Sequence, residues 1–588
     1  MPEPITMEVI QKAIQRLGIE TLELQYLDPT GEIHSMMLDA MKLKLVDGEY
    51  KLVPNDIAGT LDGSSIPGFQ NIDKTGLEIV IGPNPRVYVD PTKRTRLVIM
   101  GNTKEPNGPL YAKDPRNQAI ISEKWLKEQG LGLEALRVGP EFEFFVFPKG
   151  VDPLALGADN ANYHCSAAVN PSQDFMDEYR AALKTAGVDS RFSHAEVATY
   201  QQEVGVNCET LLRAADNVII QRDILKKLAK KHGVTVSWEP KLLDAYSETI
   251  KQTGKDSAIN GSGLHTNMSF DMHNGRNAFV TYDSDDKPIT NQLSDDALLC
   301  IAGLLKHANP LQAIFNPSTI SGARLGMGES PKFIVAGNDN RSALIRIVTI
   351  PVGEEFKTRI ELRASDSMAC PHTWFAAAQM AMVDALIKGR GKSKTALEEL
   401  GLNPQIINTN FYKMSNEERI ERNIPELHTG PDILSKSVAS LYADHSYLLS
   451  PNGPFGEDFE TVLEPYLNTI LATDHDREIS RKAIAEAWVR AHSKTSSVEV
   501  DELHALRTEV KELKAHLALL DQMVLGLMAS QQSTNVQADV PMASASPERS
   551  GSMKGLSIFN LTGSYPSTAT LAKPCSSDPS ERSMSPPQ

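Results

Sequence analysis

Gly139-Pro140-Glu141-Phe142-Glu143-Phe144-Phe145-Val146-Phe147 is the stretch from which the rest of the chain is read. Its period is two. On an extended strand Glu141 and Glu143 point to one face, and Phe142 and Phe144 point to the other. The phenylalanines require a core on their side. Two carboxylates side by side on a half-buried strand repel, and they stay ionised only where positive charge sits between or above them. A structural pair with arginine meets that demand, and so does a bound cation.

Two further segments repeat the pattern. In Gly263-Leu-His-Thr-Asn-Met-Ser-Phe270, His265, Asn267 and Ser269 share a face, and Leu264, Met268 and Phe270 alternate with them. In Arg359-Ile-Glu-Leu-Arg363, Arg359, Glu361 and Arg363 oppose Ile360 and Leu362. A single polar strand face is the ordinary solvated side of a sheet. Three faces carrying Glu-Glu, His-Asn-Ser and Arg-Glu-Arg fit the lining of one polar cavity. Carboxylates with an imidazole and no thiolate suit hard divalent cations, Mg²⁺ or Mn²⁺. Guanidinium groups match phosphate oxygens bidentately, and more of them follow at Arg324, Arg341 and Arg346. Metal and arginine around phosphate are the parts of phosphoryl transfer, so the residues point to a metal-dependent, ATP-using enzyme.

Composition bounds this reading. The chain has 588 residues, 41% of them hydrophobic, enough to bury a large core in several domains. Lys plus Arg number 59 against 75 Asp plus Glu, a formal charge of -16, which lacks the basic footprint of a nucleic-acid binder. The five cysteines form no CxxC pair, so a disulfide framework or zinc ribbon is not expected and a reduced, cytoplasmic compartment is. No apolar run reaches the length of a membrane span, and MPEPITMEVIQ has no signal-peptide pattern. Gly391-Lys392-Ser393 is not a phosphate loop, because Leu386 stands where the first glycine belongs. His232 and His307 sit in helix-like context and read as packing or surface histidines. The first hundred residues form a small unit, with a helix over Thr6–Leu17 and strands over Thr21–Leu27, Glu78–Ile81 and Leu97–Met100. From 498 to 529, Leu503, Leu506, Val510, Leu513, Leu517, Leu520, Val524 and Leu527 recur at steps of three and four. This predicts a coiled-coil helix. In residues 533–588, 24 of 56 are Ser, Thr or Pro, the composition of a disordered tail.

Together these segments resemble the glutamine synthetase family. Its GPE-x-E-FF stretch matches Gly139–Phe145, GSG-x-H matches Gly261–His265, N-R-S-A…IRI matches Asn340–Ile347 and R-I-E-x-R matches Arg359–Arg363. Asp62-Gly-Ser-Ser65 matches the DGSS signature, and Asp114-Pro115-Arg116 matches the segment joining the family's two domains. All six occur in the family's order. The resemblance implies an α+β fold. A small N-terminal β-grasp-like domain would cover residues 1–108, and a catalytic domain of antiparallel sheet with flanking helices would cover 109–495. It implies a ligase that makes a γ-glutamyl amide from glutamate, ammonium and ATP through γ-glutamyl phosphate. Of two Mg²⁺ or Mn²⁺ ions, one would be held by Glu143, Glu196 and Glu203 and the other by Glu141, His265 and Glu361. Arg324, Arg363 and Gly261 would bind glutamate. Ser269, Arg341, Arg346 and Arg359 would serve the nucleotide and the transferring phosphoryl group. Asp62, Ser65, Tyr163 and Glu329 would line the ammonium pocket, with Asp62 coming from a neighbouring subunit of a homo-oligomer.

Four departures from the family pattern are visible. Glu196 and Glu203 lie seven residues apart where the family has eight, and a missing residue can turn a side chain to the opposite face. The loop carrying Glu329 is one residue short. Cys370 and His372 replace an Asn and a Tyr. The metal and phosphate framework is more intact than the acceptor side. Three functions therefore stand: glutamine synthesis, ligation of glutamate to a primary amine or polyamine, and a catalytically retired scaffold. The retained buried charges speak against the third, because they are costly to keep. Tyr412, in Asn410-Phe-Tyr-Lys-Met-Ser, reads as an ordinary loop tyrosine.

Overall fold

The computed structural model of the chain describes residues 7–492 apart from 41–42, 47–48, 53–59, 74–75, 83, 107, 152–162, 243–260 and 327–328. The expected coiled coil at 498–529 and the tail at 533–588 lie outside the described residues.

The N-terminal unit opens with α1 (Met7–Leu17) and builds a four-stranded sheet from β1 (Thr21–Leu27), β2 (Ile33–Asp39), β3 (Arg86–Val89) and β4 (Arg96–Met100), in the order β2-β1-β4-β3. β1 pairs parallel with β4 and antiparallel with β2, the β-grasp pattern that was expected. Each expected element of this unit is present within a residue or so of its boundaries. Ile10, Ile14, Leu22, Leu24, Leu97 and Ile99 close its core.

Asp114-Pro115-Arg116 starts α2 (Pro115–Glu128) for local reasons. The Asp114 carboxylate accepts from Arg116 N at 2.9 Å, and Pro115 stands where a helix needs no N–H donor. The larger unit follows as one large sheet. Its strands are β5 (Leu133–Phe147), β6 (Ser190–Ala195), β7 (Gln201–Val206), β8 (Leu264–Met272), β9 (Ala336–Asn338), β10 (Ile345–Ile347) and β11 (Ile360–Leu362), in the order β6-β7-β5-β8-β11-β10-β9. The pairings along this path are antiparallel except β9 with β10, and two short strands, Glu209–Thr210 and Thr235–Ser237, also pair with β5.

Alternation divides the sheet as the sequence predicts. Leu136, Val138, Phe142, Phe144, Met268, Phe270, Ile360 and Leu362 are buried among hydrophobic side chains. Their cover includes α3 (Leu211–His232), α4 (Asp295–Lys306) and α5 (Pro371–Gly389), the last buried on nearly every side. Leu27, Tyr88, Val98 and Met100 of the N-terminal unit join the Phe142–Phe144 cluster, so the two units share a core. The charged residues of the central strands therefore stand on the opposite face. Among the described residues no single helix is long and apolar enough to cross a membrane.

Two expectations about peripheral residues now have a physical outcome. His307 is buried against Asp444 (2.8 Å), and His232 is at a helix end beside Glu178 (2.8 Å), so both are structural. His372 is also fully buried. Its Nε2 meets Asp216 at 2.9 Å, and Arg116 grips the same carboxylate at 3.0 and 3.1 Å. Cys370 packs against Gly31 of the N-terminal unit. These two departures from the family pattern belong to the seam between the units and not to the polar cavity.

Candidate active site

Strand register assembles the site. Glu143 lies opposite Glu203 across β5 and β7, and Glu141 lies opposite His265 across β5 and β8. Asn267 lies opposite Glu361 across β8 and β11, and Arg346 lies opposite Glu361 across β10 and β11. Neighbouring strands run about 4.8 Å apart, so side chains at paired positions on one face must meet. The result is a row of carboxylates, imidazole and guanidinium across the middle of the sheet.

The distances bear this out. His265 Nδ1 is 3.6 Å from Glu143, 3.9 Å from Glu141 and 3.9 Å from Glu361. One ligand atom each from Glu141, His265 and Glu361 fall within 4.8 Å of one another, and the same holds for His194, Glu196 and Glu203. The seven-residue spacing does not turn Glu203 away. Glu196 N still donates to Gln201 O (2.9 Å), and the missing residue is absorbed in the turn before β7, where Tyr200 takes a positive φ of 68°. Glu203 keeps its face.

Arginines close the other side. Glu361 is held by Arg346 (2.9 Å) and by Arg363. Arg341 meets Glu329 at 3.0 Å. Buried Arg324 donates to the carbonyls of Ala364 (2.8 Å) and Arg363 (3.0 Å), which fixes its plane. A Cβ on Gly261 would collide with Pro240 O and the Arg324 stem, and one on Gly263 would crowd Arg324 and Glu143. These glycines let the backbone run against the guanidinium, and Gly263 N donates to Glu143 at 2.8 Å.

The electrostatics are strained without a cation. Burial, then the Glu361 charge, pushes Glu141 up to about 7. Burial, then Glu196, pushes Glu143 up to about 7. Glu203 is raised further by burial and by Glu143, Glu141 and Glu196. Burial and the flanking arginines hold His265 far below its ordinary value, so its imidazole is neutral and free to be a ligand. A donor set of carboxylates and imidazole without thiolate is chemically suited to a divalent cation of the Mg²⁺ or Mn²⁺ type, and such an ion would relieve the carboxylate repulsion.

A cavity of about 910 Å³ opens over this row, lined among others by Glu141, Glu143, Tyr163, Glu196, Glu203, Gly261, His265, Arg324, Glu329, Arg341, Arg346, Glu361 and Arg363. Four expected residues do not line it. Arg359 stands on its flank, its Nε donating to Asn267 (2.8 Å), and Ser269 lies two positions beyond Asn267 on β8. Asp62 and Ser65 are exposed on the N-terminal unit, in a turn where Asp62 accepts from Ser64 N (3.0 Å) and Ser65 Oγ (3.2 Å). Within one chain they do not reach the cavity.

Several lining residues escaped the sequence reading. His194 precedes Glu196 by two positions, and the same period of two reveals it. His164, Gln201, Lys241 and Ser330 also line the cavity. Tyr412 does not line the cavity, and its hydroxyl donates to Ser330 O (3.0 Å), next to Glu329.

A sheet that gathers paired acidic triads beneath an arginine-rich cavity, behind a β-grasp unit, has the architecture of an ATP-dependent ligase. The family description "Glutamine synthetase, catalytic domain" matches residues 112–468. The chain is 30% identical to the glutamine synthetase of Methanosarcina mazei over 480 residues, covering 79% of this chain and 97% of that protein. It is 30% identical to the Thermus thermophilus glutamine synthetase over 451 residues, 75% and 90% of the two chains. Among solved structures, Plasmodium falciparum glutamine synthetase superposes with a TM-score of 0.63 at 20% identity, over 81% of this chain and 96% of that one. A GmaS/ADP complex superposes with a TM-score of 0.60 at 20% identity, over 80% and 96%. This chain belongs to the glutamine synthetase family. That family comprises glutamate–ammonia ligases and related amine ligases, which use ATP and divalent metal and form oligomers.

Proposed function

We propose that this protein joins glutamate to ammonia with ATP, through γ-glutamyl phosphate, in an active site completed by a second subunit. The observation that carries the reading is the convergence of Glu141, Glu143, His265 and Glu361 from three strands beneath Arg341, Arg346 and Arg363 in one cavity. Divalent ions held by Glu141, His265 and Glu361 and by Glu143, Glu196 and Glu203 would supply charge neutralisation at the phosphate oxygens. Arg324, with Arg363 and the Gly261 backbone, would bind glutamate and present its γ-carboxylate. Arg341 and Arg346 face the cavity and would take the charge that develops on the transferring phosphoryl group. Arg359, at the flank, and Ser269 would serve the nucleotide. The carboxylate oxygen attacks the γ-phosphorus and ADP leaves. The amine then attacks the acyl carbon, and phosphate leaves with that oxygen. A carboxylate is a poor electrophile until phosphorylated, which fixes the order.

Ammonium must lose a proton before it attacks, and Glu329, which lines the cavity beside Arg341, would accept it together with Asp62 of a neighbouring subunit. The exposure of Asp62 and Ser65 supports their service to a neighbouring subunit's cavity. The homo-oligomer is then a condition of catalysis. An organic amine is the second reading of the acceptor. Tyr163 and His164 stack at 4.3 Å on the cavity wall, and a ring face of this kind attracts an alkylammonium as well as ammonium. Phosphate release with glutamate and Mg²⁺-ATP, measured with ammonium, methylamine and putrescine in turn, tests both. Turnover with ammonium alone supports glutamine synthesis. Turnover confined to an organic amine replaces it with the amine ligase. Nucleotide binding without turnover on any donor overturns both.

A further inference from the structure

We infer that His194 is a direct ligand of the ion held by Glu196 and Glu203, so that each of the two ions is bound by one imidazole as well as carboxylates. This rests on the metal-dependent reading above and adds a residue to it. Three observations carry it. Strand pairing sets His194 on β6 directly opposite Glu203 on β7. His194 Nε2 is 3.7 Å from Glu203 Oε2, and Nδ1 is 3.7 Å from Glu196 Oε1. The triad repeats the composition and the 4.8 Å spread of Glu141, His265 and Glu361 on the neighbouring strands.

The ring is also oriented for the task. Nδ1 lies 3.2 Å from the Ala195 carbonyl, which only accepts, so Nδ1 carries the hydrogen and Nε2 presents its lone pair toward Glu203. Phe192 stacks against the imidazole at 5.6 Å, His164 lies at 4.2 Å and Tyr163 meets it edge-on at 5.5 Å. Glu143 lies between the two triads, opposite Glu203 and 3.6 Å from His265, and is positioned to serve both ions.

The consequence is a preference among metals. Mg²⁺ favours all-oxygen shells, while nitrogen donors raise affinity for first-row transition ions. With an imidazole in each site, the pair takes Mn²⁺ ahead of Mg²⁺.

The test is Mn²⁺ binding to the full-length oligomer, followed by electron paramagnetic resonance. Wild-type protein should bind two Mn²⁺ per chain, and pulsed measurements should show a directly bound imidazole nitrogen on each. His194→Gln, matched to wild type by circular dichroism and particle size, should keep one tight ion and bind the other at least about tenfold more weakly. Two Mn²⁺ of unchanged affinity in His194→Gln overturn the inference. Two ions with nitrogen on only one overturn it in the wild type, whether or not the variant folds, and leave the ligase reading standing. A wild type that binds no Mn²⁺ overturns both together.

Discussion

Replacing Glu361 with glutamine separates a metal ligand from an ordinary buried ion pair. The carboxylate is 2% exposed and bonded to Arg346 at 2.9 Å and to Arg363, and its Oε1 lies 3.9 Å from His265. Glutamine keeps the shape and one acceptor but removes the charge between two guanidiniums. Breaking a buried pair by removing one partner costs about 3–5 kcal/mol, and the retained amide oxygen puts the expected loss near the lower end, about 3 kcal/mol. That loss lowers Tm whatever the residue's role. Catalysis should fall much further, because the same change deprives an ion of a ligand and the phosphoryl group of its counter-charge. Loss of one such element costs at least about 10²-fold in turnover. The assay is phosphate release with glutamate, Mg²⁺-ATP and ammonium, run below the variant's Tm. Excess Mn²⁺ should restore activity only in part. A variant with lowered Tm and wild-type turnover would exclude a metal-ligand role, because Glu361 would then be a counter-ion for arginines and nothing more.

Other predictions follow from the same geometry. Glu141 and Glu143 are raised from the ordinary carboxylate range to about 7 in the metal-free fold, so between the unfolded value and about 7 the folded state holds the extra protons. Metal-free protein should therefore lose stability as pH rises from 5 to 8, added Mn²⁺ should stabilise it more at pH 8 than at pH 5, and calorimetry should detect proton release on binding. A melting temperature that rises over this range without metal would contradict the burial of these carboxylates. Asp62→Asn and Glu361→Gln homo-oligomers should each be nearly inactive, and oligomers assembled from both chains should recover a measurable fraction of activity. No recovery in verified mixed particles would refute a shared active site. Phe144, fully buried and edge-on to Tyr179 at 5.5 Å, should cost about 3–5 kcal/mol when changed to alanine, measured by urea unfolding. Truncation at residue 495 should change particle size in light scattering if the heptad segment at 498–529 joins subunits, and an unchanged particle would remove that role.

The parts of the site legible in the sequence are those that depend on strand alternation alone. Glu141 and Glu143, His265, and Glu361 with Arg363 each announce their face by a period of two, and antiparallel pairing brings those faces together. His194 was equally legible in Ser193-His-Ala-Glu196 but is visible only when the alternation is followed upstream of Glu196. The effect of the shortened Glu196–Glu203 spacing was not legible. It depends on whether the missing residue comes out of a strand or a turn, and Tyr200 decides that with a backbone angle no composition reveals. The place of His372 was not legible either. It follows Arg363 closely in the chain, yet at the start of α5 its side chain meets Asp216, in the seam with the N-terminal unit. Asp62 is a case of another kind: within its own chain it accepts from Ser64 and Ser65 and does not line the cavity, and its proposed place is in a neighbouring subunit's site.

In the proposed reaction this cavity phosphorylates the γ-carboxylate of glutamate before the amine attacks. The direct measurement uses glutamate labelled with ¹⁸O in that carboxylate, with unlabelled ATP and ammonium, and reads the mass of the phosphate released. Passage through an acyl phosphate moves one ¹⁸O into each phosphate. Turnover that yields unlabelled phosphate would rule out the acyl phosphate.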